Sequence, residues 1–216
     1  MSTTRSLDLT NLYHELTTLL GPSGWWPADS KFEILVGAIL VQNTNWRNVD
    51  KSLDNLRAAT NFEPQAIANL SLDELQELIR PSGFYRNKSR AINGLFSWLT
   101  HADFDLARIA TTEPSRLRQQ LLALPGIGEE TADAMRLYVF DQSTFIADNY
   151  CRRLFSWLGQ DFATYAKLKA HTREVDDWGL RDAQEFHGLI DNFGKTVKSA
   201  EDFSQSPLAN FTLTLK

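Results

Sequence analysis

Three groups of residues have types and spacings that could do chemistry. The first is Leu124-Pro125-Gly126-Ile127-Gly128-Glu129-Glu130-Thr131-Ala132, where two glycines precede a returning helical period. Glycines permit left-handed backbone angles, and amides left uncovered at a helix start, backed by about half a positive charge from the helix dipole, can cradle a phosphate. An ordinary turn between two helices uses the same pattern. The second is Asp148, just ahead of Cys151, Leu154, Phe155 and Leu158 at helical spacing. An aspartate there is an N-cap by local pattern. The helix start would also depress its pKa and keep it ionised, which suits stabilising a positive charge better than donating a proton. The third is the set of indoles Trp25, Trp26 and Trp46, whose faces can stack on a planar base or attract a cation. Trp46 lies on an apolar helical stripe, where core burial is the plainer use. Two consecutive indoles in the turn Ser23-Gly24-Trp25-Trp26-Pro27 are harder to bury together, so one of them is expected to stay accessible.

Helices must position all three. The stripe Leu9, Leu12, Leu16, Leu19 and Leu20 predicts a helix over Asp8–Leu20, stopped by Gly21-Pro22. Ser30 with Glu33 reads as a capping box opening Phe32–Val41, a run apolar on every side that predicts the central buried helix; a buried strand is the rival, and the box with the internal Gly37 favours the helix. Gln42-Asn43-Thr44 then connects to the helix of Trp46, Val49, Leu53 and Leu56. Ser71 with Glu74 predicts another box, and Pro81-Ser82-Gly83 the end of that helix. A basic segment, Arg86 to Arg90, leads into Ile92, Leu95, Phe96 and Leu99; its Arg86, Lys88 and Arg90 could meet phosphates or form a solvated face. Leu117, Leu121 and Leu122 precede the glycine turn, and Ala132, Met135 and Val139 follow it. Asp182 with Glu185 is expected to cap a helix carrying Phe186, Leu189, Ile190 and Phe193, and the tail ends with Phe211, Leu213 and Leu215 at alternating positions. No stretch alternates long enough to demand a sheet, so the fold class is all-α.

Composition bounds what these elements can serve. The chain has 216 residues, 43% apolar, with 22 Lys plus Arg against 27 Asp plus Glu, a formal charge of −5. That is enough apolar matter for a folded core and too much for disorder. A net negative charge provides no bulk attraction for polyanions, so any grip on nucleic acid must come from local geometry and a few placed cations. One cysteine, Cys151, excludes an internal disulfide, a four-cysteine zinc site and an iron–sulfur cluster held by four cysteines of this chain. The longest apolar run, Ile34 to Val41, is far short of a membrane span, and the first residues lack a signal-peptide pattern. A cytosolic chain with no membrane partner is the expectation.

Taken together, LPGIGEETADA, VFDQSTFIADNYCRRLF, FEILVGAILVQNTNW and PSGFYRNKSRAI resemble the helix-hairpin-helix (HhH-GPD) DNA glycosylases of the endonuclease III superfamily, over most of Phe32 to Leu158. The pattern of that family is an LPG-x-G hairpin, a helix, and an aspartate shortly beyond it that opens another helix, the place Asp148 holds. The paired Trp25-Trp26-Pro27, QNTNW and PSGFY look most like its 3-methyladenine glycosylases.

The resemblance implies a two-lobed helical fold with the active site in the cleft between lobes. One lobe would be residues 30–142, with the helix-hairpin-helix at about 113–140; the other would combine 1–29 with 143–216. It implies a monomer in base excision repair that acts on double-stranded DNA containing a damaged base, flips the base out and hydrolyses its N-glycosidic bond. Asp148 would stabilise the positive sugar or orient the water. Trp25 or Trp26 would face Trp46 across an alkylated purine such as 3-methyladenine. Gln42 would fill the gap in the duplex, while Gly126, Ile127 and Gly128 hold the DNA. Bifunctional relatives carry a lysine where this chain has Glu130, and a carboxylate cannot form their imine, so no lyase activity is expected. His187-Gly188 matches the pair that precedes the cluster cysteines in many relatives, but Asn192 stands near the first cysteine position, so no iron–sulfur cluster and no other cofactor is expected, beyond a structural cation on the hairpin carbonyls of Leu122, Leu124 and Ile127. A glycosylase for uracil, mismatched or oxidised bases, a noncatalytic DNA-binding module and a helical protein-interaction domain are the competing readings.

Overall fold

The computed structural model describes residues 5–215. Among them the chain folds as thirteen α-helices with two three-residue strands, an all-α architecture. It divides into two compact units, Met1–Pro27 with Ser143–Lys216 and, between these segments, Ala28–Gln142.

The discontinuous unit begins with strand β1 (Arg5–Leu7) and α1 (Leu9–Leu20), whose Leu9, Leu12 and Leu16 are buried. Asp8 caps α1 by accepting the Asn11 amide at 2.8 Å, and Gly21 ends it at φ +69°.

The helix that carries the Ala28–Gln142 unit is α2 (Lys31–Leu40), buried at every residue from Glu33 to Leu40. A run this apolar has no face to show water, and each large side chain fully buried contributes roughly 1.5–3 kcal/mol. It packs against α3 (Trp46–Thr60), α6 (Tyr85–Thr100) and α9 (Glu129–Tyr138). Its capping box is only half formed. Ser30 Oγ accepts the Glu33 amide at 3.1 Å, but the Glu33 carboxylate accepts the Asp29 amide at 3.0 Å and pairs with Arg57 at 2.5 Å. A buried carboxylate does better with a guanidinium than with a second amide. Between α3 and α6 lie α4 (Pro64–Ala68) and α5 (Leu72–Ile79), whose Ser71–Glu74 box is complete. After α5 a 3-10 turn, Arg80–Ser82, leads to Gly83 at φ +68°. Helices α7 (Leu106–Thr112) and α8 (Leu117–Leu122) complete this unit.

The discontinuous unit resumes with α10 (Asn149–Trp157), α11 (Tyr165–Ala170), α12 (Leu180–Thr196) and α13 (Ala200–Ser204). Helix α12 packs on both α1 and α10. Its cap is Gly179; Asp182 lies one turn inside, and Glu185 is committed elsewhere. The alternating tail forms β2 (Phe211–Leu213), parallel to β1 with Leu7 opposite Leu213. Both leucines are buried, and the Thr214 amide donates to Leu7 O at 2.7 Å. A partner about 200 residues away is invisible to local periodicity, so this strand pair was not foreseen.

Candidate active site

In the discontinuous unit, Asp148 ends an extended, largely buried segment, Thr144 to Ala147, and caps α10. Its Oδ1 accepts the Cys151 amide at 2.7 Å, while Cys151 Sγ donates to Ile146 O at 3.0 Å. Lys169 steadies the approach by donating to Thr144 Oγ1 and, at 2.6 Å, to Phe145 O. The other carboxylate oxygen of Asp148, Oδ2, stands 3.9 Å from His187 Nε2. The Asp148 side chain is 13% exposed, enclosed but not sealed.

His187 belongs to α12, and burial, helped by the Lys195 charge, pushes its pKa down to about 3. At neutral pH the imidazole is therefore neutral and places no positive charge beside Asp148. The shift is also a statement about stability. An unfolded chain takes up a proton at His187 below about pH 6.5, whereas the folded chain refuses it until about pH 3. The stabilisation tied to this group is complete above that window and is lost as pH falls through it. Urea midpoints measured from pH 7 to pH 4 should therefore fall with acid, and His187→Gln should flatten that limb; an unchanged slope would show that His187 is not held neutral.

The two indoles Trp25 and Trp26 follow α1 in the same unit, half-buried, with ring centroids 5.3 Å apart. Their turn is anchored to α12. Glu185 accepts the Ser23 amide at 2.6 Å and its hydroxyl at 2.8 Å, and Asn192 Nδ2 donates to Ser23 O at 3.0 Å. Gly188 makes this seating possible: a Cβ there would lie 2.5 Å from both Ser23 Oγ and Trp25 Cβ. Lys195, paired with the buried Asp191 at 2.5 Å, holds its ammonium 4.2 Å from the centre of a Trp25 ring. Burial raises the Asp191 carboxyl pKa, against the pull of Lys195. Sequence reasoning missed Asp191 and Lys195 and gave Glu185 a capping role instead, although their i, i+3 and i+4 spacings around Gly188 put them on neighbouring turns of one helix.

In the Ala28–Gln142 unit the glycine turn joins α8 to α9. Only Gly126 uses a left-handed angle, φ +75°; a Cβ there would meet Ala91 Cβ at 2.8 Å, so the turn sits directly on α6. Gly128 is extended, at φ −91°, and caps α9 with nothing within 4 Å of its absent Cβ. Ile127 is buried and its amide donates to Leu124 O at 3.3 Å, while Pro125, Gly126 and Gly128 are exposed. Glu129 and Glu130 open α9, and Arg118 reaches Glu129 at 3.3 Å. Arg118 also grips Asp133, at 2.9 and 3.1 Å, and Arg136 adds a contact at 3.1 Å, so the two hairpin helices are joined by two half-buried arginines sharing a buried carboxylate.

Gln42 follows α2 and turns onto this hairpin: Nε2 donates to Gly126 O at 3.1 Å and to Thr131 Oγ1 at 3.0 Å. Trp46 opens α3, half-buried. Of the three basic residues, Arg86 and Arg90 are exposed, but Lys88 meets neither of its expected uses. It is 3% exposed and donates to Leu40 O and Ser82 O, both at 2.8 Å. Phe84, unremarked in the sequence, is 64% exposed at φ +47°. A bulky residue held left-handed and open to solvent could have been suspected only from the Gly83 stop before it.

The residues present do not fit an iron–sulfur cluster. Cys151 is buried in α10, and Asn192 is engaged with Ser23. No group of three or more His, Cys, Asp or Glu among the described residues is placed to hold a metal. On the hairpin, Leu124 O accepts the Ile127 amide at 3.3 Å. No helix among the described residues is long and apolar enough to cross a membrane.

This arrangement has known counterparts. The chain is 36% identical over 183 residues, 83% of each chain, to the candidate DNA repair glycosylase MJ1434 of Methanocaldococcus jannaschii. Its structure is similar to that of the Helicobacter pylori 3-methyladenine DNA glycosylase MagIII bound to 1,N6-ethenoadenine, with a TM-score of 0.75, 29% identity, and 88% of this chain and 98% of that one covered. It shares its fold with endonuclease III in a non-covalent DNA complex, with a TM-score of 0.70 at 22% identity over 92% of this chain and 88% of that one. The sequence profile of the HhH-GPD superfamily of base excision DNA repair proteins matches residues 36–175. With the hairpin and the capping aspartate in place, the chain belongs to that superfamily.

Proposed function

We propose that this base excision glycosylase is monofunctional, flipping an alkylated purine, 3-methyladenine foremost, out of double-stranded DNA and hydrolysing its N-glycosidic bond. The observation that carries the reading is the state of Asp148. One carboxylate oxygen is fixed by a backbone amide, and the other faces a histidine that is neutral at working pH. A carboxylate so held needs no reorganisation to stabilise the positive sugar that develops as the base departs. Trp25, Trp26 and Trp46 supply aromatic faces that offset the cost of unstacking the base. Gly126 and Gly128 present backbone to a DNA strand, and Arg86 and Arg90 are exposed cations in the same unit. Gln42 and the exposed Phe84 are the groups suited to fill the space a flipped nucleotide leaves. Glu130, exposed in the first turn of α9, has no amine with which to form an imine, so the product is an intact strand with an abasic site.

A second reading has one observation in its favour. The Lys195 ammonium over Trp25 repels a further positive charge at that indole, which favours a neutral adduct such as an etheno-purine. Relatives similar to this chain include a 3-methyladenine glycosylase whose structure holds 1,N6-ethenoadenine, so both lesions belong in the test. Duplexes carrying 3-methyladenine, 7-methylguanine, 1,N6-ethenoadenine, uracil and 8-oxoguanine should be incubated with enzyme in excess and the free bases identified by mass. Fastest release of 3-methyladenine is expected. Preference for the etheno base would support the second reading, and release of uracil or 8-oxoguanine alone would overturn both.

A further inference from the structure

In the Ala28–Gln142 unit the Lys88 ammonium is buried and donates to two main-chain carbonyls. Lys88, only 3% exposed, lines a cavity of about 110 Å³ together with Gln42, Asn43, Phe84, Asn87 and Gly126. Its two acceptors are main-chain carbonyls at the ends of two different elements: Leu40, the last residue of α2, and Ser82, the last of the 3-10 turn. Each lies two residues before a group assigned above to gap filling, Gln42 in one case and Phe84 in the other.

Both turns that follow pass through a left-handed residue. Asn43 has φ +53°, which asparagine tolerates, but Phe84 at φ +47° is a bulky residue held left-handed, a conformation kept only where the surroundings over-determine it. Helix ends leave carbonyls without intrahelical partners, and an ammonium is a strong donor to them. One cation shared by two such ends fixes their separation. Burying it is costly, and that cost is visible in the Lys88 pKa, which desolvation lowers to about 8.

We infer that Lys88 is a positioning residue: by tying Leu40 O to Ser82 O it sets Gln42 and Phe84 at the spacing needed to enter the duplex together when a nucleotide is flipped. The inference rests on the function proposed above, in which these two side chains fill the gap. It differs from a phosphate contact, since the ammonium is turned inward.

The test compares the preference for a duplex bearing a tetrahydrofuran abasic analogue over an intact duplex, with 2-aminopurine opposite the analogue to report stacking in the gap. Lys88→Met, folded by circular dichroism, should lose about ten-fold of that preference and leave the 2-aminopurine bright, with intact-duplex affinity within about two-fold. In a background carrying Gln42→Ala and Phe84→Ala the same substitution should have no further effect, an outcome that general destabilisation would not give. Should Lys88→Met not fold, Lys88→Gln, which keeps a buried donor, carries the same comparison. Retained preference in the single variant, or an undiminished loss in the triple variant, would overturn the inference alone. A wild-type protein with no preference for the abasic analogue would overturn the gap-filling reading, and this inference with it.

Discussion

Asp148→Asn is expected to slow single-turnover release of 3-methyladenine by about 10²–10³-fold, the scale of losing one fixed electrostatic group at a developing charge. Its stability should change by less than about 1 kcal/mol, because asparagine caps a helix about as well as aspartate. The geometry makes the two roles separable. The cap bond uses Oδ1, which an amide oxygen can supply to the Cys151 amide, whereas the charge is what asparagine removes. His187 cannot replace it, being neutral down to about pH 3. Asp148→Ala should lose both, with the same rate defect and a cost near 1 kcal/mol from the missing cap. Rates of base release and urea unfolding of the two variants, measured side by side, check this. An asparagine variant that turns over like wild type would reduce Asp148 to a cap.

Asp133→Ala should be the most damaging single substitution for stability among those considered, lowering the unfolding free energy by about 3 kcal/mol, the lower end of the 3–5 kcal/mol typical of breaking a buried pair. Asp133 is fully buried, and its removal takes the two-pronged partner of Arg118, which keeps Glu129 at 3.3 Å, and a carboxylate partner of Arg136. The lower end applies because Arg118 keeps 30% of its side-chain exposure and can recover some solvent. Added salt should not restore the loss, since the charges concerned are not screened as surface pairs are. The consequence for function follows from position: Arg118 lies on α8 and Asp133 on α9, so the bond closes the hairpin helices around Gly126. A urea midpoint shifted by the equivalent of less than 1 kcal/mol would show that hairpin packing is held by other contacts.

What could be read from the sequence follows the range of the forces involved. Asp148 capping α10, the complete Ser71–Glu74 box, the fully buried α2 and the left-handed Gly126 are local matters, decided within a few residues, and the sequence displays them. The half-formed Ser30–Glu33 box departs from its pattern because Arg57, on another helix, competes for the same carboxylate. Lys88 reads as one of three surface cations, and only the folded positions of Leu40 and Ser82 show why it turns inward. Lys195 and Asp191 sit on an amphipathic helix like any i, i+4 surface pair; it is the Trp25 turn, from the other end of the chain, that gives them a function-related place. The β1–β2 pair needs both termini at once. In each case the missing information was a partner distant in sequence, and in most of them a charge or polar group had to choose among partners.

In the proposed reaction a carboxylate, with no amine, supports the breaking of the bond between base and sugar. One reaction addresses it directly: a 3-methyladenine duplex is incubated with enzyme in the presence of borohydride, then analysed for free base by mass and for strand integrity before and after alkali. Free 3-methyladenine, a strand that breaks only after alkali, and no protein trapped on DNA are expected. A borohydride-trapped adduct with strand cleavage before alkali, or no free base at all, would contradict the proposed reaction.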